Sequence, residues 1–298
     1  MIVKLDAPLK DYVWGGTKLK TEYGKKSNGN VAESWELSFC EGSESVVASG
    51  KDCGKPISQV TTRADWGKNC DKFPAFPVLV KLIDAQQNLS VQVHPSDEYA
   101  LQHENQFGKT EMWHILQAQP GAKLFLGLNK TVTKQQFQQA VADKTVCELL
   151  NAVPVSAGET YFVPSGTLHA IGAGVTLIEI QQNSTLTYRV YDYDRRGADG
   201  KPRQLHLEKA LDVIDFNKYH VPNPQRESLL GSCKYFSAYK YRGERNYTMA
   251  DSFSSVTVTD GRISLNGTLL TKGETAFVSA GESVKICGDG CYVVSCVE

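Results

Sequence analysis

A nine-residue stretch that occurs twice constrains this chain more than any other feature. Gly158-Glu159-Thr160-Tyr161-Phe162-Val163-Pro164-Ser165-Gly166 returns as Gly273-Glu274-Thr275-Ala276-Phe277-Val278-Ser279-Ala280-Gly281, with six of nine positions identical at an offset of 115 residues. Each copy has a glycine at either end, suited to a turn, and a run of strand-forming residues between. Strand patterns precede and follow both copies, so duplication of one small β-barrel accounts for the repeat. The copies then diverge. Three residues past Gly166 stands His169, and three residues past Gly281 stands Val284. One barrel is expected to carry metal chemistry and the other to be structural.

The rest of the chain reads as mainly β. Residues 31–38 alternate, as a strand with one wet face does. Residues 76–83 are expected to be a buried strand, and it leads into a second strand that carries Gln92 and His94 and ends at Pro95. Strands follow at 111–116 and 122–128, joined by a Gln119-Pro120-Gly121 turn, and again at 175–182 and 187–191. Ser96 suits the N-cap of a short helix to about residue 106, and Thr133 caps a polar helix to about residue 142. Leu207, Ala210, Leu211 and Ile214 share one face of a further short helix. A connector at 220–225 then leads into strands only, with Asp260-Gly261 as a hairpin turn. The expected division is a metal-binding catalytic unit over 1–220, with helical insertions, and a second barrel without metal ligands over 226–298.

The site is expected where the alternation carries the wrong residues for a core. In Ser90-Val91-Gln92-Val93-His94-Pro95, side chains alternate faces, so Gln92 and His94 point to one side. With Glu111 and His169 they form a set able to hold one divalent metal. Each residue alone is ordinary, since a buried histidine is usually satisfied by its surroundings. Together, two strands bring ligand-capable groups inward where apolar ones belong. His114, three residues from Glu111, faces the other side of its strand and is left out. An N,N,O,O set suits zinc, with iron or manganese also possible, and two histidines with a carboxylate also match the non-haem iron pattern. Trp14, in a Gly-flanked loop, and Trp35 fit core packing and site lining equally well.

Composition excludes some partners. Thirty-two basic and 33 acidic residues give a net charge of −1 with no basic block, which argues against nucleic acid and anionic membrane. Lys4 and Asp6 fall where a signal peptide needs an apolar core, and no later segment approaches the ~18 apolar residues of a membrane span. A soluble, cytoplasmic protein is expected. Its eight cysteines form no CxxC pair and are expected to be reduced, although Cys287 and Cys291 flank a Gly-Asp-Gly turn across which they can approach.

Several motifs together resemble a known family. Ser90-Val91-Gln92-Val93-His94-Pro95-Ser96-Asp97, Gly108-Lys109-Thr110-Glu111-Met112-Trp113, Val163-Pro164-Ser165-Gly166-Thr167-Leu168-His169-Ala170 and Thr187-Tyr188-Arg189-Val190-Tyr191-Asp192-Tyr193-Asp194-Arg195 resemble the type I mannose-6-phosphate isomerases in their short bacterial form. Trp14-Gly15-Gly16 and Glu33-Ser34-Trp35 fit that family's N-terminal region, and the resemblance is collinear over nearly the whole chain. It implies two cupin-like β-barrels of jelly-roll type with short helical insertions. It also implies one zinc ion per chain and interconversion of mannose 6-phosphate and fructose 6-phosphate. Gln92, His94, Glu111 and His169 would be the zinc ligands, Lys109 an acid/base or substrate-binding group, and Arg189 the active-site arginine. Where the family usually has Asp, four residues before that arginine, this chain has Thr185.

The chemistry is coherent. A metal polarises carbonyl and hydroxyl oxygens during enediol formation, and Arg189 supplies a fixed charge for the developing oxyanion. A lysine beside the metal is expected to have its pKa lowered towards neutrality. Read without the family, Arg189 is a strand arginine paired with Asp192 or Asp194. Two other functions fit the same residues: an iron-dependent cupin oxygenase, and a non-catalytic sugar-phosphate-binding cupin.

Overall fold

The two copies of the repeat become equivalent strands, Thr160–Val163 and Thr275–Val278, in a computed structural model that describes residues 1–197 and 200–298. The turn before each is built alike. Glu159 accepts the backbone N–H of Ser156 at 2.9 Å, and Glu274 accepts that of Thr271 at 2.8 Å. Gly158 and Gly273 have φ of 89° and 86°, in the left-handed region where a Cβ is unfavourable.

Around these strands the described residues form four sheets. In the first pair, a six-stranded sheet runs Thr160–Val163, Glu111–Ala118, Val175–Gln182, Val78–Ala85, Glu33–Leu37, Leu9–Lys10. It faces a five-stranded sheet of Tyr188–Tyr191, Val91–Val93, His169–Ile171, Lys123–Leu128 and Leu150–Pro154. In the second pair, Thr275–Val278, Ser254–Asp260, Cys291–Cys296 and Ser237–Arg242 occupy the places of the first four strands above, in the same order and chain sequence. Arg245–Thr248, Ser283–Gly288, Arg262–Leu265 and Thr268–Thr271 likewise match Val91–Val93, His169–Ile171, Lys123–Leu128 and Leu150–Pro154. The duplication therefore spans two sheets of four strands in each copy. The class is mainly β and cupin-like, and each expected barrel is a pair of facing sheets rather than a closed cylinder.

The second sandwich also takes strands from the start of the chain. Ile2–Asp6 pairs with Thr275–Val278, and Val46–Val47 pairs with Ile2–Asp6. The sheets thus do not divide at residue 220, as order along the chain suggests.

Core clusters give the order of layers. Val78, Val80 and Ile180 of the six-stranded sheet, with Phe76 just before it, pack with Phe277 and Val293 of the second sandwich and with Phe236 and Phe253, which lead into its strands. Val78–Ala85 is consequently buried on both faces, which is why it reads as mostly apolar, with Lys81 and Asp84 the exceptions. Phe137, Ala210 and Leu211 of the helices cover the outer face of the five-stranded sheet. The Thr133 cap forms as expected, with a full capping box on Lys134–Ala142.

Three local expectations change. The turn at Asp260-Gly261 does not close a hairpin, because the strands on either side belong to opposite sheets of a sandwich; the Gln119-Pro120-Gly121 turn joins its two strands as expected and likewise crosses between sheets. Turn chemistry specifies a reversal but not whether the chain re-enters the same sheet. Cys287 and Cys291 part for the same reason, pairing with Ser264 and Arg242 in different sheets, and all eight cysteines are free. The strand Glu33–Leu37 has no wet face. All five residues are buried, Ser34 and Glu36 against the second sandwich, where Thr275 donates to Glu36 at 3.0 Å. Among the described residues no helix is long and apolar enough to cross a membrane.

Candidate active site

Glu111 opens its strand on the inner face of the six-stranded sheet, while Gln92 pairs directly with His169 across the facing sheet. His94 follows at the end of the same short strand. The two sheets bring ligand atoms of His94, Glu111 and His169 to within 4.8 Å of one another, all fully buried. His94 Nε2 lies 3.3 Å from Glu111 Oε2, and His169 Nε2 lies 3.4 Å from Glu111 Oε1. Gln92 Nε2 is 3.3 Å from His169 Nε2. A half-turn of that amide presents Oε1 to the same space.

Backbone carbonyls orient the imidazoles. His94 Nδ1 is 2.9 Å from the Leu186 carbonyl and His169 Nδ1 is 2.8 Å from that of Thr167. A carbonyl oxygen only accepts, so each Nδ1 carries the proton and each Nε2 turns a bare lone pair inward. Burial, helped by Lys109, pushes the His94 pKa down to about 3, and burial lowers that of His169 as well. Burial alone would raise the Glu111 pKa, but the Lys109 ammonium outweighs it and holds it well below the usual carboxylate range. Neutral imidazoles and an ionised carboxylate are the forms that bind a metal. His94 Nε2 and both Glu111 oxygens have no hydrogen-bond partner of good geometry, although Lys109 Nζ stands 2.9 Å from Glu111 Oε2. Buried polar atoms left this way are rare, and a divalent cation would satisfy all of them at once. The donors present therefore fit a metal.

Lys109 and Arg189 both line a cleft of about 270 Å³ beside these ligands, as do Trp14, Trp35 and Thr185. Arg189 is not held by Asp192 or Asp194. Asp192 is taken by Arg195 and Arg203, and Asp194 pairs with Lys144. Arg189 instead donates to Ser90 Oγ at 3.2 Å and to the Gln204 carbonyl at 3.0 Å.

The cleft also contains charges that strand patterning left unremarked. Trp35, Lys81, Glu179 and Trp113 lie side by side across four strands of the inner face. Lys81 is 3.1 Å from Glu179 and 3.5 Å from Glu33, and Glu179 is 4.0 Å from Lys109. Trp113 donates to Glu179 at 2.9 Å and Trp35 to Glu33 at 2.7 Å. Burial would depress the Lys81 ammonium, but Glu179 and Glu33 outweigh it and its pKa is raised. The available signal was a lysine and a glutamate, each flanked on both sides by apolar residues within its strand.

His114 lies on the other face, where its Nδ1 meets Thr160 Oγ1 at 2.8 Å. Burial lowers its pKa to about 4. The unfolded chain binds this proton more readily, so the stability that neutral His114 allows is complete above pH 6.5 and falls as pH drops towards 4. Replacing His114 with Gln should remove about 3 kcal/mol of this acid sensitivity across that window. Chemical unfolding at several pH values measures it, and equal pH slopes for variant and parent would refute it.

The second sandwich shows what the first would be without ligands. The pairing register sets Tyr247 and Val284 where Gln92 and His169 stand, and Ser254 where Glu111 stands. Met249 follows Tyr247 as His94 follows Gln92. Tyr247 and Ser254 hydrogen-bond to each other at 2.9 Å, and Val284 packs in the core.

A family model of the type I phosphomannose isomerase catalytic domain matches residues 2–112. The mannose-6-phosphate isomerase of Streptococcus mutans is 37% identical over 246 residues, covering 80% of this chain and 78% of that protein. The chain belongs to the type I mannose-6-phosphate isomerases. It is accordingly an aldose–ketose isomerase. The crystal structure of the Bacillus subtilis mannose 6-phosphate isomerase superposes with a TM-score of 0.89 at 30% identity, covering 99% of both chains. A zinc-bound mannose 6-phosphate isomerase shares the fold, with a TM-score of 0.80 at 17% identity, covering 100% of this chain and 99% of that one.

Proposed function

We propose that this chain interconverts mannose 6-phosphate and fructose 6-phosphate in the cleft beside Glu111, with Gln92, His94, Glu111 and His169 holding one zinc ion. The carrying observation is the set of buried, unpartnered ligand atoms at the foot of a cleft lined by Lys109 and Arg189, in a chain of this family. Two imidazoles, an amide oxygen and a carboxylate suit zinc. Bound there, the cation supplies Lewis acidity to the sugar's carbonyl and hydroxyl oxygens.

The chain's own groups account for the rest. In the aldose-to-ketose direction a proton leaves C2, its electron pair forms the enediol double bond, and O1 gains a proton. A proton then returns to C1 as O2 gives up its own. Lys109, lying between Glu111 and Glu179, is assigned the proton transfers. Arg189 has no protein partner on its NH2 group among the described residues, and burial and the neighbouring Arg203 favour its pairing with an incoming anion. Lys81 pairs with Glu179 at 3.1 Å behind Lys109. Thr185 lines the same cleft and carries no carboxylate, so proton transfer there is left to Lys109. Eight free thiols and the absence of a basic surface block suit a soluble enzyme of the cytoplasm acting on a small sugar phosphate.

The test is fructose 6-phosphate formation from mannose 6-phosphate by the protein as purified, after chelation, and after zinc is restored. Loss and recovery with zinc is the expected result. Zinc bound at one per chain without turnover would instead make this a sugar-phosphate-binding cupin, and Thr185→Asp the variant to assay next.

A further inference from the structure

Lys109 is presented by three successive backbone N–H groups, each held from outside its own strand. Gly108 N donates to Asp97 Oδ1 at 2.9 Å, Lys109 N to the Pro95 carbonyl at 3.0 Å, and Thr110 N to Gln182 Oε1 at 2.8 Å. The amide of Gln182 donates in turn to the same Asp97 Oδ1 at 2.9 Å. Gly108 is pressed against this arrangement, since a Cβ there would come within 2.4 Å of the Ser96 backbone. The second oxygen of Asp97 accepts the hydroxyl of Tyr235, a residue of the second sandwich 138 positions away. Lys234 approaches the same oxygen at 3.9 Å, at the surface.

We infer that Asp97 is a positioning residue for Lys109, and that Tyr235 carries the second sandwich's contribution to catalysis by fixing Asp97. This rests on the assignment of proton transfer to Lys109. Asp97 touches neither the ligand atoms nor the cleft. It joins the turn after His94 to the loop before Glu111, so the backbone of Lys109 is clamped from both sides. The duplicated sandwich, empty of ligands itself, thereby acts on the site through the Tyr235–Asp97 contact. Its Tyr235 hydroxyl limits the rotation of a carboxylate whose other oxygen accepts from Gly108 and Gln182.

The experiment is a double-mutant cycle on the zinc-loaded enzyme with mannose 6-phosphate. Asp97→Ala should lower kcat by ~100-fold, with KM changed little, because a displacement of order 1 Å at a catalytic group has that effect. It should retain one zinc per chain. Asp97→Asn keeps an oxygen that can accept from Gly108 and Gln182, and should recover most of kcat. In a Lys109→Ala background, Asp97→Ala should cause no further loss, since residues acting through one another are not additive. Tyr235→Phe, which removes only a hydroxyl, should lower kcat several-fold in the parent and not at all in Lys109→Ala, and it serves if Asp97→Ala does not fold. Losses that multiply across the cycle overturn the inference, as does an Asp97→Asn variant no better than Asp97→Ala. Wild-type kcat in Lys109→Ala alone overturns the assignment of Lys109 instead.

Discussion

Titrating zinc into metal-free protein should raise its unfolding free energy by about 4 kcal/mol once free zinc reaches ~1,000 times the dissociation constant, and His169→Ala should erase that gain. His94 Nε2 and both Glu111 oxygens are buried without partners, so ion-free protein holds uncompensated polar atoms that the unfolded chain hydrates. A cation that binds only the folded state shifts the balance by mass action. His169→Ala also leaves a cavity that lowers stability with or without metal. The quantity to read is therefore the difference between zinc-loaded and zinc-free unfolding, measured in urea for parent and variant. Isomerase activity should fall more than about 100-fold in the variant, beyond what loss of an outer partner of a ligand does. A variant that keeps the parent's zinc-linked stabilisation would remove His169 from the ligand set.

The second large effect is expected at Glu179. Glu179→Ala should cost about 3–5 kcal/mol of stability, because it leaves the buried Lys81 ammonium with Glu33 alone, at 3.5 Å. The Trp113 N–H also loses its acceptor. Glu179→Gln keeps the shape and an oxygen for Trp113, so it should cost distinctly less while still removing the charge next to Lys109. The two variants separate roles. If Glu179 only packs and neutralises, Glu179→Gln should be nearly as active as the parent. If it shares the proton relay, Glu179→Gln should lose activity at least ~10-fold while remaining folded. Urea unfolding and kcat, measured on both, decide. A Glu179→Ala protein as stable as its parent would show that Lys81 finds water or another partner.

These two sites differ in how far they could be read in advance. Gln92 and His94 declared themselves because a strand's alternation is local: residues two apart share a face whatever else the chain does. Glu111 and His169 stood out as polar groups at inward positions, and the repeat gave His169 a silent counterpart in Val284. The capped helices and most strands were legible for the same reason, since caps, turns and period-two patterns act over a few residues.

What the sequence by itself determined is thus the kind of fold, its duplication, and which side chains face a common interior. Tertiary structure decided what lies beside what. Lys81 meets Glu179 through the register of two strands far apart in the chain, and Tyr235 meets Asp97 from the other sandwich. The turns at Gly121 and Gly261 cross between sheets instead of folding back, and Ile2–Asp6 leaves its sequence neighbours to join the last strands of the chain. Register and partner choice follow from which buried faces can close on each other, a sum over many distant contacts that no short window contains.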